Sequence, residues 1–257
     1  MDFRLLDAGD TALTIEFGET VDRRLLARVA AAEEILAQRV AAGRLAGVVE
    51  TVPTFRSLTV IYDPLRTSRS ALEPLIRSAL EQAASAVARQ GALWEFPVCY
   101  GDQLPEAGPD LADLAEHCGL TPAEVVELHS GVAYEVHLIG FLPGFPFMGD
   151  LSTRLARPRR VEPRVRVPAG SVATAGALTG IYPWDSPGGW HLIGRCPVPL
   201  FSADWARAAL LQPGDRVRFR AVGVGEYHSL ITRIGDGQSI DRLEREFRAA
   251  GAAGRRR

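Results

Sequence analysis

Between Phe141 and Arg195 the chain carries eight glycines and seven prolines in 55 residues, against 27 in the remaining 202. No long helix fits such a stretch, because proline removes a backbone donor and glycine weakens any helix interior. Short strands joined by tight turns do fit, and they predict a β-barrel or sandwich rather than a parallel nucleotide-binding sheet. Loops that are irregular yet stiff also suit a ligand cradle. Composition alone leaves open whether they are that or simply tight barrel turns.

The flanking segments extend this pattern. Ala133 to Ile139 and Arg216 to Arg220 alternate apolar and polar residues as half-buried strands do, and Pro213-Gly214-Asp215 is a turn feeding the second. Two short helices precede them, Leu111 to Cys118 and Pro122 to His129. The second opens on Thr121-Pro122-Ala123-Glu124, a capping box with proline at the first helical position.

The first 90 residues read differently. Ala12 to Phe17 is a strand, Thr20 or Asp22 caps a helix reaching about Ala42, and Val48 to Val52 and Leu58 to Tyr62 are further strands. A second helix is expected from a Ser70/Glu73 capping box, with Leu72, Leu75, Ile76, Leu80 and Val87 as its apolar stripe and Pro74 near its first turn. The order β-β-α-β-β-α predicts two helices on one face of a mainly antiparallel sheet. Residues 1–90 are therefore expected as one domain, with the boundary between Arg89 and Gly91. A barrel domain over 91–224 and a C-terminal extension over 225–257 follow, frayed and basic from Ala249.

Charge and sulfur narrow the function classes. A net charge of −2 gives no global reason for nucleic acid or an anionic membrane. Cys99, Cys118 and Cys196 are few, dispersed and without CxxC spacing, which fits reduced thiols better than a disulfide framework or a zinc site. The acidic start lacks a signal peptide's apolar core, and no apolar run approaches membrane-spanning length. A soluble, cytoplasmic protein without a bound metal is the expectation.

Chemistry concentrates in the same stretch. Arg154, Arg157, Arg159, Arg160, Arg164 and Arg166 lie close in sequence, with Glu162 the only acid among them. The planar guanidinium matches carboxylate and phosphate geometry, so an anionic ligand is one reading. A solvated basic loop, or arginines paired with acids of the first domain, is the other. Several motifs carry nothing. Gly170-Ser171-Val172 lacks the GxSxG frame, Asp185, Ser186 and His191 are letters of a triad without its geometry, and adjacent His117 and Cys118 point apart on a helix. His129, His137 and His228 are read as structural, Trp184 and Trp190 as core or partner-surface residues, and no P-loop is present.

Ten residues then identify a relative. Gly140 to Gly149 (GFLPGFPFMG) is similar to a GFxPGFPYLG block. Arg157-Pro158-Arg159-Arg160, Pro163-Arg164, Val167 to Val172, Thr179 to Pro183, Ser186 to Trp190, Ile193-Gly194-Arg195 and Leu211 to Asp215 continue the match in order. Together they resemble the family of 5-oxoprolinase B subunits, also called KipI-like or allophanate hydrolase subunit 1. The resemblance implies an α+β protein: a small ferredoxin-like α/β sandwich followed by a cyclophilin-like β-barrel. It also implies two partner chains of the 5-oxoprolinase, a KipA-like C subunit and an A subunit. Together such proteins open 5-oxo-L-proline to L-glutamate while hydrolysing ATP, with Mg. The isolated chain is expected to be inactive. Two other roles go with the family: a KipI-like inhibitor of a sensor histidine kinase, and the carboxyltransferase half of a urea carboxylase or allophanate hydrolase system.

Opening a lactam against amide resonance needs activation, and phosphorylating the carbonyl oxygen would supply it. The site expected for such chemistry takes charge from Arg159, Arg164 and Arg195 and backbone donors from around Gly170-Ser171 and Gly188-Gly189, with Thr179 as a further ligand contact; no catalytic residue is assigned. Leu178 stands where the family has Gln, Cys196 replaces Thr, and Tyr100 to Asp110 (YGDQLPEAGPD) is looser than YGGxxGPD. These departures weaken the substrate assignment more than the fold.

Overall fold

The computed structural model describes residues 3–20, 22–83, 91–235 and 239–249. The chain forms two compact units, Met1–Gln90 and Gly91–Arg257.

The first unit begins with strands β1 (Arg4–Asp7) and β2 (Ala12–Glu16), helix α1 (Arg23–Ala41), strands β3 (Val48–Pro53) and β4 (Ser57–Tyr62), and helix α2 (Arg69–Ala83). All its pairings are antiparallel, in the order β1-β2-β4-β3. Leu13 and Ile15 stand opposite Val60 and Leu58, so one face of the sheet is apolar. Val29 and Leu36 of α1 and Leu72, Ile76 and Leu80 of α2 bury against that face as one core. Asp22 caps α1, its carboxylate accepting the N–H groups of Arg24 and Leu25.

Helix α2 departs from expectation at its start. The Ser68 hydroxyl, not a Ser70/Glu73 box, accepts the Ala71 N–H, and Glu73 pairs instead with Arg77 at 2.8 Å. Starting earlier, the helix holds Pro74 in its interior and turns Leu75 out of the stripe, 41% exposed. Val87 and the Arg89–Gln90 part of the expected boundary lie outside the described residues.

The second unit contains β5 (Leu93–Tyr100), α3 (Leu111–Cys118), α4 (Pro122–Ser130), β6 (Ala133–Ile139), β7 (Pro146–Met148), β8 (Arg164–Val167), β9 (Ser171–Ala175), β10 (Leu178–Ile181), β11 (Ser186–Gly188), β12 (His191–Arg195), β13 (Arg216–Ala221), α5 (Val224–Ile234) and α6 (Ile240–Phe247). Seven strands close into a barrel in the order β10-β7-β6-β13-β5-β12-β9, with β8 and β11 forming a separate ribbon. Only β13 and β5 pair in parallel among the barrel strands, so the barrel is mixed. The protein is thus α+β with a closed barrel. Trp94, Phe96, Val98 and Tyr100 alternate into its interior with Val172, Ile181, Ile193 and Val217. The turn before β13 is pinned by Asp215, which accepts from the Trp94 indole, the Ala92 N–H and the Gln212 N–H.

Strands β9, β10 and β12 are buried on their outer face as well. There Ala173, Ala175 and Leu192 meet Phe145, Val167, Tyr182 and Trp190 in a second apolar cluster. The Gly/Pro-rich stretch therefore both forms part of the wall and folds back over it. At the other end, Leu230 and Ile234 of α5 and Leu243 and Phe247 of α6 belong to the same buried core as the barrel interior. Of the residues from 249 onward only Ala249 is described, its N–H donating to the Leu93 carbonyl.

Candidate functional site

Arg157, Arg160, Arg164 and Arg166 find their acids in the second unit, not the first. Asp110, directly before α3, is 5% exposed. Its Oδ1 accepts from Arg164 Nη2 at 2.6 Å and from Arg160 Nη1 at 3.3 Å. Its Oδ2 accepts the Leu192 N–H at 2.7 Å, while its own N–H donates to the Leu192 carbonyl at 2.9 Å. One carboxylate thus serves two guanidinium groups, and the trio carries one uncompensated positive charge. Arg164 Nη1 and Arg160 Nε are buried without a hydrogen-bond partner among the described residues.

Around this trio the other arginines divide. Arg157 donates to Asp113 at 2.7 Å and holds that carboxyl below its ordinary range. Arg166 pairs with Asp185, whose other oxygen accepts the Ala169 N–H at 2.7 Å; that bond first, then Arg166, lowers the Asp185 pKa. Arg159 is different. Among the described residues no carboxylate stands within ion-pair distance of it, and its guanidinium carbon lies 6.0 Å from the centre of the Trp190 ring.

Gly188 and Gly189 join the same cluster. A Cβ on Gly188 would lie 2.4 Å from the Tyr182 hydroxyl, so only glycine lets that phenol reach its place. Burial raises the pKa of this hydroxyl against the smaller pull of the Trp190 backbone, Arg159 and Arg164. The phenol stays protonated and can donate. Gly189 offers its carbonyl to the Arg160 N–H at 2.8 Å. The structure thus gathers Arg159, Arg164, Gly188 and Gly189 around Asp110, Arg160, Tyr182 and Trp190.

The remaining expected residues lie elsewhere. Gly170 has φ +78°, and its N–H donates to the Tyr182 carbonyl at 2.7 Å; the Ser171 N–H donates to the Pro168 carbonyl at 3.2 Å. Both N–H groups are engaged in holding the wall rather than pointing free as the expected backbone donors. Arg195 stands opposite Ser171 where β12 pairs with β9. Thr179 is a core residue: its hydroxyl donates to the Ala173 carbonyl at 3.1 Å and meets His129 Nε2 at 2.9 Å. His129 therefore carries its proton on Nε2, leaving Nδ1 to accept from the Tyr100 hydroxyl at 2.8 Å. Stacked 4.7 Å from Phe219 and fully buried, the imidazole has its pKa lowered to about 3. This relay is structural, as expected for His129.

The rejected triad stays rejected, since His191 Nε2 faces the Pro158 carbonyl at 2.8 Å and the Ser186 hydroxyl donates to the Pro187 carbonyl. Among the described residues no group of three or more His, Cys, Asp or Glu is placed to hold a metal, and no helix is long and apolar enough to cross a membrane. Sequence reasoning missed Asp110, Tyr182 and the specific place of Arg160. For Asp110 the signal was the Gly108-Pro109-Asp110 end of the motif noted above.

Residues 3–211 match the family model described as carboxyltransferase domain, subdomain C and D. The chain is 37% identical over 237 residues to the 5-oxoprolinase B subunit of Bacillus subtilis (strain 168), covering 88% of this chain and 96% of that one. It is 43% identical over 212 residues to the 5-oxoprolinase B subunit of Escherichia coli O157:H7, covering 82% and 92% respectively. A crystal structure of TTHA0988 superposes with a TM-score of 0.70 at 37% identity, covering 82% of this chain and 39% of that one, so this chain spans about two-fifths of that protein. On the strength of these matches and of the ordered motifs from Gly140 to Asp215, the chain belongs to the family of 5-oxoprolinase B subunits.

Proposed function

We propose that this chain works as the B subunit of an ATP-dependent 5-oxoprolinase, an amide hydrolase acting on a lactam in the cytoplasm. The single observation that carries the reading is the surplus of guanidinium over carboxylate around Asp110, with buried donor atoms on Arg160 and Arg164 and an unpaired Arg159 beside Trp190. Such a set fits one carboxylate or one phosphate group. It does not offer a glycine-loop cradle for a whole nucleotide, since the Gly170 and Ser171 donors are already used. ATP, with Mg, supplies the activation that an amide carbonyl needs before water can attack it. The residues of this chain hold and orient: Arg159, Arg160 and Arg164 fix the anion, Trp190 keeps the Arg159 plane in position, and the protonated Tyr182 hydroxyl donates toward the same region.

In this reading the chain is inactive by itself and completes its site against the C and A subunits. Val161 (98% exposed), Val165 (90% exposed), Phe141 and Trp184 remain in water along the same stretch, which supports a protein-facing surface. The barrel is of the cyclophilin-like kind, with ligand chemistry on its outer wall. The first unit follows a ferredoxin-like winding through β2, α1, β3, β4 and α2, with β1 in the edge place that the last strand of such a unit occupies.

Reconstitution tests the proposal. The chain is co-purified with its C and A subunits, and glutamate release from 5-oxoproline is followed with and without ATP. Release that requires all three chains and ATP is expected. Release by the other two chains without this one, or none from the full set, would refute it.

A further inference from the structure

Three consecutive residues, Trp190 directly before β12 and His191 and Leu192 at its start, carry the parts of the Asp110 cluster. The Trp190 ring centre lies 6.0 Å from the Arg159 guanidinium carbon. The Leu192 N–H donates to Asp110 Oδ2 at 2.7 Å, and its carbonyl accepts the Asp110 N–H at 2.9 Å. Between the two stands His191, 2% exposed, whose Nε2 meets the Pro158 carbonyl at 2.8 Å. Pro158 belongs to the Arg157–Arg160 segment, which bears three of the arginines.

Residues 158–160 belong to no helix or strand, so individual bonds decide their place. At one end the Arg157 carbonyl accepts the Gly176 N–H at 2.7 Å, and at the other the Arg160 N–H donates to the Gly189 carbonyl at 2.8 Å. His191 holds the middle, at the carbonyl directly before Arg159. A carbonyl can only accept, so Nε2 carries the proton. Nδ1 is buried without a hydrogen-bond partner among the described residues. A charged ring would place a second, unpaired N–H there, in surroundings that already hold the Arg157 and Arg160 charges. Burial first, then Arg157 and Arg160, hold the His191 pKa below its ordinary value against the Pro158 carbonyl and Asp110. The ring is neutral at pH 7, and neither nitrogen is open to a ligand.

We propose that His191 is a positioning residue of the anion site: its Nε2–H fixes the Pro158 carbonyl, and thereby the backbone from which Arg159 and Arg160 reach the ligand. It acts through the loop, neither touching the ligand nor transferring a proton. The turnover arm of its test rests on the 5-oxoprolinase reading, whereas the NMR arm does not.

Side-chain reach supplies the test. A glutamine amide nitrogen extends as far as Nε2 and can donate to Pro158, whereas that of asparagine stops at the level of Nδ1. In the full chain alone, 15N NMR at pH 7 is expected to show the His191 ring with Nε2 protonated and Nδ1 bare. The Arg159 and Arg160 Nε–H signals are expected to shift in His191→Asn and to return close to their wild-type positions in His191→Gln. In the assembled three-chain complex, kcat/KM for 5-oxoproline should fall between about tenfold and a hundredfold in His191→Asn and recover to within about threefold of wild type in His191→Gln. A merely structural histidine would lower the melting temperature of His191→Asn without moving the arginine signals or the turnover of the folded complex. That result, an Nδ1–H or charged ring, or His191→Gln as impaired as His191→Asn would overturn the proposal. Should His191→Asn fail to fold, the ring tautomer and the His191→Gln turnover decide the matter by themselves. A wild-type complex that releases no glutamate would refute the 5-oxoprolinase reading, and the ring and arginine signals would then decide the role of His191.

Discussion

Asp110 Oδ1 lies 2.6 Å from Arg164 Nη2 inside a site where only 5% of the aspartate is exposed, while its other oxygen ties down the Leu192 N–H. Removing that charge leaves Arg160 and Arg164 facing each other without a counterion. Asp110→Asn, which can still accept from Leu192, is expected to destabilise the barrel unit by about 2–4 kcal/mol. Asp113 pairs with Arg157 at a similar distance but is 56% exposed on its side chain. Asp113→Asn should therefore change stability by less than about 1 kcal/mol. Urea denaturation of the two variants checks the contrast, and equal losses would argue against the burial account.

The two units should respond to pH in opposite senses. In the barrel unit, burial lowers the His129 pKa from 6.5 to about 3. Between those values the unfolded chain binds the proton and the folded one does not, so stability falls as pH drops from about 6.5 toward 3, by at most about 1.4 kcal/mol per pH unit. In the first unit, burial raises the Glu33 pKa from 4.5 to about 7. There the folded form holds the proton longer, so stability falls as pH rises from about 4.5 to 7. Thermal melts at pH 5 and pH 8 follow both effects. His129→Gln should flatten the acid-side loss, and Glu33→Gln should raise the melting temperature at pH 8 while leaving it nearly unchanged at pH 4.

Gly188 and Tyr182 form a second contact with a measurable consequence. A methyl at position 188 would lie 2.4 Å from the Tyr182 hydroxyl and 2.9 Å from its ring carbon Cζ, so the phenol must move out of its place. Gly188→Ala is expected to cost about 1–3 kcal/mol. In a Tyr182→Phe background the cost should shrink, since the nearer of the two contacts is gone, and a double-mutant cycle reads that coupling. Strict additivity would mean that the two residues do not meet as described.

Much of the architecture was legible because its signals are local. The Thr121–Glu124 box forms in both directions, Asp22 caps α1, and the alternation over Ala133–Ile139 is strand β6. Where a signal depended on the third dimension, it failed. The five residues of β9 are all buried because the wall is covered on both faces, so SVATA shows no alternation to read. Ser70 and Glu73 have capping-box spacing, yet the helix begins before them at Ser68. Among the site residues, the arginine run and the Gly188-Gly189 pair were visible as composition. The acids that organise the arginines were not, because Asp110 and Asp113 lie more than forty residues away along the chain. Thr179 looked like a ligand contact in its motif, but its hydroxyl faces His129 in the core. Spacing cannot tell the two faces of a doubly buried strand apart.

Arg159 gives the sharpest view of the central claim, because it is exposed and has no acid to release when removed. Arg159→Ala should leave stability within about 1 kcal/mol, the most that its contact with Trp190 contributes at an exposed position. In the assembled three-chain complex, ATP-coupled glutamate release from 5-oxoproline by Arg159→Ala and Arg164→Ala should fall at least about tenfold, with the complex still forming on a sizing column. Unchanged turnover in both variants would contradict the assignment of the Asp110 cluster as the place where the anion is held.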